Sequence, residues 1–560
     1  SGALTLAWIP EQDVGGKDNK RSDELRIRAS NLELAGLEGI RPLAAKLSPA
    51  LGDVWRSTQP SGKINTLALD IPLQAADKTR FQASWSDLAW KQWKLLPGAE
   101  HFSGTLSGSV ENGLLTASMK QAKMPYETVF RAPLEIADGQ ATISWLNNNK
   151  GFQLDGRNID VKAKAVHARG GFRYLQPAND EPWLGILAGI STDDGSQAWR
   201  YFPENLMGKD LVDYLSGAIQ GGEADNATLV YGGNPQLFPY KHNEGQFEVL
   251  VPLRNAKFAF QPDWPALTNL DIELDFINDG LWMKTDGVNL GGVRASNLTA
   301  VIPDYSKEKL LIDADIKGPG KAVGPYFDET PLKDSLGATL QELQLDGDVN
   351  ARLHLDIPLN GELVTAKGEV TLRNNSLFIK PLDSTLKNLS GKFSFINSDL
   401  QSEPLTASWF NQPLNVDFST KEGAKAYQVA VNLNGNWQPA KTGVLPEAVN
   451  EALSGSVAWD GKVGIDLPYH AGATYNIELN GDLKNVSSHL PSPLAKPAGE
   501  PLAVNVKVDG NLNSFELTGQ AGADNHFNSR WLLGQKLTLD RAIWAADSKT
   551  LPPLPEQSGV

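Results

Sequence analysis

Alternation with a period of two runs through most of this chain. Leu270, Ile272, Leu274 and Phe276 alternate with Asp271, Glu273 and Asp275. Val349, Ala351, Leu353, Leu355, Ile357 and Leu359 alternate with Asn350, Arg352, His354, Asp356 and Pro358. Tyr427, Val429, Val431 and Leu433 repeat the pattern, as do Leu502, Val504, Val506 and Val508. Each stretch predicts a strand with one apolar and one wet face. Such strands recur roughly every 10 to 20 residues, separated by turn pairs read at Asn112-Gly113, Asp138-Gly139 and Asp279-Gly280. The predicted class is mostly β, an elongated, repetitive antiparallel sheet of roughly 25 to 30 strands.

The strands belong to a longer repeat. Leu69-Asp70-Ile71-Pro72-Leu73 recurs identically at 355–359, with softer copies at 249–253 and 465–469. Two longer blocks match in order. One carries Asn255, Phe258, Phe260, Asn269-Leu270 and Phe276-Ile277-Asn278; the other carries Asn374, Leu377, Ile379, Asn388-Leu389 and Phe395-Ile396-Asn397. A unit of roughly 105 to 120 residues is therefore used about four times.

Helical patterns are few. They fall at 209–219, closed by Gly221-Gly222, around 322–336, and at 446–453 with Pro at the start and Gly455 beyond. The expected organisation is β segments at 1–180, 226–320, 346–440 and 456–550. Helical inserts at 181–225, 321–345 and 441–455 separate them, and a frayed tail follows at 551–560.

Composition narrows the function. With 560 residues, 41% of them hydrophobic, the chain can build a large core. A net charge of −15 opposes nucleic-acid binding, which needs a basic face. The absence of cysteine excludes disulfides, thiol nucleophiles and Cys-ligated metals. The longest compact apolar run, 183–190, is far shorter than the roughly 18 residues of a membrane span. The chain opens on Ser1-Gly2 without Met and is read as a piece of a longer protein.

Catalytic signals are poor, so the expectation is no enzyme, no metal and no cofactor. No Ser sits in a nucleophile elbow and no Gly-Lys pair continues as a phosphate loop. Gly318-Pro319-Gly320 with Gly324 reads as a turn. The seven histidines are scattered. Asp271, Glu273 and Asp275 have the spacing of part of a calcium loop, but Phe276 stands where that loop needs glycine. Trp145 and Trp409 fall in phase with Ile143 and Ala407, on the apolar side.

A repeated sheet with one apolar face must bury that face, and short helices cannot cover all of it. Either the sheet closes on itself or it curls around something apolar. On the residues alone these stand equal: an apolar groove, or a closed-core structural or adhesive β-solenoid. A polysaccharide-acting enzyme on a β-helix is a third class, which the long unit and the diffuse polar face disfavour.

Several segments resemble the AsmA-like proteins. They are Trp199-Arg200-Tyr201-Phe202-Pro203 with the following helix, and Gly232-Gly233 through Leu237-Phe238-Pro239-Tyr240 to Gly245-Gln246-Phe247. The paired Phe-Ile-Asn blocks and Leu490-Pro491-Ser492-Pro493-Leu494-Ala495-Lys496 are most similar to the YhdP branch. The resemblance implies an apolar β-groove in a periplasmic bridge, anchored in the inner membrane by parts absent here, carrying phospholipid towards the outer membrane. Its implied partners are phospholipids and proteins of both membranes. The expected groove lining is Phe247, Val249, Val251, Phe258, Phe260, Leu270, Ile272, Leu274 and Phe276. Its counterpart is Leu353, Leu355, Ile357, Val370, Leu372, Leu377, Phe393, Phe395, Val429, Val431 and Leu433. The helical segment at 209–219 is expected to act as a lid or brace at the groove mouth.

Overall fold

The structure, a computed structural model, describes residues 2–13, 20–21, 23–40, 42, 49–94, 96–492, 494–534 and 536–559. Pro493, at the centre of one of the resembling motifs, lies outside the described residues, as does Val560 at the tail.

The alternating stretches become a single antiparallel sheet of 30 strands among the described residues. Its order follows the chain. Ala3–Ile9 pairs with Glu24–Glu33, and from there nearly every strand pairs with its neighbours in sequence, ending at Thr538–Ala545. At about 4.8 Å per strand, the contour across the strands is on the order of 140 Å. The expected segments are stretches of this one sheet.

Residues directly opposite one another in a ladder share a face. One face can therefore be followed from strand to strand by register. Leu67 is opposite Ala83, then Leu106, Leu115, Ile143, Gly156, Phe172, Ile186, Tyr231 and Phe247. Further on, Val251 is opposite Leu274, then Met283, Ala300, Ile312 and Leu355. Later still the row reads Phe418, Val431, Val463, Ile477, Val508 and Leu517. Between Leu355 and Phe418 the same side runs through Ala351, Val370, Phe393 and Ser402, and this largely apolar side is the inner face.

The two rims of the sheet differ. One carries tight turns, such as 110–111, 149–150, 278–279 and 397–398. The other carries the helical insertions: Leu34–Ile40 and Pro49–Thr58, the latter not expected from the sequence; Gly195–Tyr201, Glu204–Met207 and Lys209–Ala218; Gly320–Ala322 through Ala338–Glu342; and Glu447–Ala452. The first helical insertion is thus narrower than 181–225, because Trp183–Thr192 and Ile219–Gly233 are strands that flank it.

Three local expectations change. Asn112-Gly113 opens the strand Asn112–Met124, and the turn before it is at 110–111. Asp138-Gly139 is no turn: it lies inside the strand Leu134–Asn148, with Asp138 opposite Lys120 and Gly139 opposite Met119. Chain continuity and two-sided pairing outweigh the local turn preference there. The tail is also tied down. Ala542 N–H donates to the Gly559 carbonyl at 2.9 Å and Gly559 N–H to the Asp540 carbonyl at 3.0 Å, so 551–559 folds back on the last strand.

Candidate functional site

Of the twenty residues expected to line a groove, all but Phe260, which follows a strand end, sit on the inner face, and the structure gathers most of them into two packed clusters. Phe258, Leu270, Ile272, Leu274 and Ile357 are buried in the first, with Val251, Phe260, Phe276 and Leu355 packed against it. Leu372 and Leu433 are buried in the second, flanked by Val370, Leu377, Phe393 and Val431. Val429 is buried outside both clusters, and Phe247, Val249, Leu353 and Phe395 are half-buried on the same face.

What covers the first cluster is the insertion at 195–218. Its helix Lys209–Ala218 starts after Gly208, whose φ of 83° suits glycine. Leu211, Val212 and Leu215 have no exposed surface and share the cluster with Leu270, Leu274 and Ile302. The Tyr214 hydroxyl donates to the Phe260 carbonyl at 3.0 Å, near the start of the strand Leu267–Ile277. At that strand's far end the rings of Phe202 and Phe276 lie 6.3 Å apart. The insertion thus meets the sheet just before this strand begins and again near its end, over the inner face.

Ion pairs fasten the insertion on its other side. Arg131 donates to Glu204 and, at 2.6 Å, to Asp213, which also pairs with Lys209 at 2.5 Å. Lys209 is the first cause, and Arg131 the second, that holds the Asp213 carboxyl below the usual carboxylate range. Arg200 meets Glu135 at 3.3 Å, and the Tyr201 hydroxyl donates to the Lys164 carbonyl at 2.6 Å.

The strands between 61 and 192 present the same face differently. Leu67, Phe81, Leu106, Leu115, Ile143, Leu154, Phe172 and Ile186 are only half-buried. Several inner-face rings there lie over glycines of adjacent strands. A Cβ at Gly113 would collide with the Trp145 ring, and one at Gly104 would stand 3.0 Å from Trp85. Trp145 reaches across Gly113 and Gly108 to stack on Phe81, with centroids 5.9 Å apart. Rings laid flat on glycine leave a smooth apolar surface instead of filling the space above it. The segment 1–180 is expected to be part of the groove, but apart from the phase of Trp145 none of these residues is named as lining. Their signal is aromatic residues in phase with glycines.

A second device shapes the sheet. Asn158, Asn255, Asn269, Asn297, Asn374 and Asn388 all adopt left-handed φ angles near 50°. Each stands at a register shift in its ladder. Asparagine tolerates this conformation at low cost, and such bulges bend a strand and increase its twist. All six lie towards the rim that carries the insertions. The ladders from Gln412 to Leu532 have no such shift.

The outer face is polar and self-paired. Glu273 meets Lys284 at 3.1 Å and the Asn255 backbone N–H donates to Asp271 at 3.1 Å. The third acid of that run differs. Burial first, then the like charges of Glu248 and Glu273, raise the Asp275 carboxyl above its usual range. His354 pairs with Asp313 at 2.8 Å. Among the described residues no three His, Asp or Glu side chains gather as a metal site, and no helix is long and apolar enough to cross a membrane.

Comparison with known proteins gives one family. The sequence model of the family described as YhdP protein matches residues 1–560, the whole chain. No solved structure matches.

Proposed function

The chain belongs to the YhdP family, and from that premise we propose that it is a segment of a lipid-transport bridge in the cell envelope. The inner face holds phospholipid acyl chains out of water while the headgroups stay wet, and lipid moves along it between inner and outer membranes. On this reading the chain works in the periplasm, as part of a protein held in the inner membrane, and performs no catalysis.

The observation that carries the proposal is the largely apolar inner face, followed by register from Leu67 to Leu517 and half-exposed through the strands of 61–192. Exposing each CH₂ of an acyl chain to water costs about 0.8 kcal/mol, so a continuous apolar lining lowers the barrier at every step. A net charge of −15 leaves the walls with little grip on anionic headgroups.

A closed-core structural role is the second reading. The burial of Leu270, Leu274 and Ile302 beneath the insertion favours it locally. Organic extraction and mass spectrometry of lipids co-purifying with the chain separate the two. Leu274 is only 3% exposed, so a charge there would disrupt the fold, and the half-buried Leu115 and Leu154 are the sites to charge. Bound phospholipid that falls several-fold in Leu115→Asp and Leu154→Asp, but not in Leu146→Asp on the outer face, is expected. A folded chain with no lipid above a control β-protein would overturn the conduit.

A further inference from the structure

The conduit reading leaves one physical problem, because the inner face is not equally accessible along its length. Through the strands of 61–192 it is open enough to be half-exposed. Between Leu253 and Ile316 the same face is buried in one cluster that includes side chains of the chain's own insertion. Leu211, Val212 and Leu215 fill the positions above Leu270 and Leu274 that acyl methylenes would otherwise take. Because lipid would travel across the strands, an element that meets the sheet at both Phe260 and Phe276 stands in its way.

Resting on the conduit reading, we propose that the insertion at 195–218 is the passage-determining constriction of this segment. Phe202 and the Leu211–Leu215 stripe set its bore for acyl chains. The Arg131 clasp sets how firmly it is held. Three observations converge on this. The stripe of Leu211, Val212 and Leu215 shares an apolar cluster with the sheet, and the polar contacts lie at the margins of the insertion: the Tyr214 hydroxyl on the Phe260 carbonyl, the Ala259 N–H on the Ala218 carbonyl and Arg200 on Glu135. A hydrocarbon chain can therefore replace the stripe without leaving buried polar groups unpaired. The fastening on the opposite side is ionic and partly solvated: Arg131 and Asp213 keep 27% and 44% of their side-chain surface exposed. Contacts of that kind are worth little individually and are remade readily. Finally, the two helices of the insertion meet at Gly208, where a Cβ would find open space, so the backbone can turn there without collision.

The residues then have distinct roles. Leu211 and Leu215 act as a surrogate ligand that keeps the face dry when no lipid is present. Phe202 narrows the far end against Phe276. Arg131 touches no lipid; it positions the insertion through Glu204 and Asp213.

The test uses the purified chain with a photo-crosslinking side chain at one of two inner-face positions. Ile143 lies in the open stretch and Val251 under the insertion. Each protein is illuminated with vesicles of phosphatidylethanolamine and phosphatidylglycerol, and lipid adducts are measured by mass spectrometry. The native background is expected to give strong adducts at Ile143 and several-fold weaker ones at Val251. In Arg131→Ala, and separately in Phe202→Leu, the Val251 adduct should rise several-fold while that at Ile143 stays level. Added salt should raise the Val251 signal in the native background and not in Arg131→Ala, which a merely structural role for Arg131 does not predict. Equal labelling at both positions in the native background would overturn the constriction and leave the conduit standing. So would a Val251 signal unmoved by both variants while Ile143 labels. Absence of adducts at Ile143 would overturn the conduit itself, and the constriction with it.

Discussion

The strands of 61–192 and those of 246–319 present the same kind of face but bury it differently. In the first stretch Leu106, Leu115 and Ile143 sit half-buried in a row, with rings laid flat over Gly104 and Gly113. In the second, Leu270, Leu274, Met283 and Ile302 lose nearly all contact with water beneath Leu211 and Leu215. The difference does not come from the strands, whose alternation is if anything more regular in the covered part. It comes from what the rim supplies: the helix Pro49–Thr58 and the segments 91–98, 125–133 and 164–165 beside the open strands, none of whose described residues joins a buried cluster, against a helical insertion of two dozen residues at 195–218 that does. A strand's pattern fixes which face is apolar. Whether that face becomes core or lining is decided by an element that crosses it.

Truncations give the largest expected effect and the most direct way to break this contrast. Leu215→Ala should cost about 2 to 5 kcal/mol, since a fully buried leucine leaves a cavity. Leu106→Ala, half-exposed, should cost about 1 kcal/mol. Denaturant unfolding of both variants checks this, and equal losses would mean that the open stretch is covered in solution. Next comes the bulge line. Asn255→Ala should destabilise by about 1 kcal/mol, because alanine resists the left-handed backbone, whereas Asn255→Gly should stay close to the native protein. If alanine is tolerated as well as glycine, the bulge does not shape the edge of the covered part.

The smallest effect belongs to Asp275, on the outer side of the covered strands. Its carboxyl titrates above the usual carboxylate range, so the ionised form is penalised in the fold. The penalty grows as pH rises from the ordinary carboxylate value through the raised one, and is complete above it. Asp275→Asn should therefore raise the melting temperature at neutral pH and lose its advantage in acid. An advantage that persists in acid would assign the effect to packing instead of charge.

Much of this was legible in the sequence. The strand class, the phase of residues such as Leu274 and Leu355, and the helix at 209–219 all follow from periodicity. The paired Asn255 and Asn374 were visible as repeats, but their left-handed conformation was not. The open stretch was hidden because Gly104, Gly108, Gly113 and Gly156 occupy inner-face positions, so its apolar alternation looks weak although neighbouring rings cover those glycines. Asp138-Gly139 misled for the opposite reason, a strong local turn signal overruled by pairing on both sides. The crossing of the inner face by Phe202 was beyond reach, since it depends on where two distant segments meet.

The order of the sheet carries one more consequence, for how such a molecule is made. Because nearly every strand pairs with the next in sequence, each can dock as soon as its predecessor is in place, closing only a short loop. A chain delivered end-first can thus zip into structure from the end that arrives, as repeat arrays do. The insertion at 195–218 is the exception. Its apolar stripe belongs to a buried cluster that is complete only when the strands as far as Ile316 and Ile357 exist. Assembly of this segment should therefore stall with that stripe exposed until more than a hundred further residues have been delivered, making it the natural place for a chaperone to hold the chain.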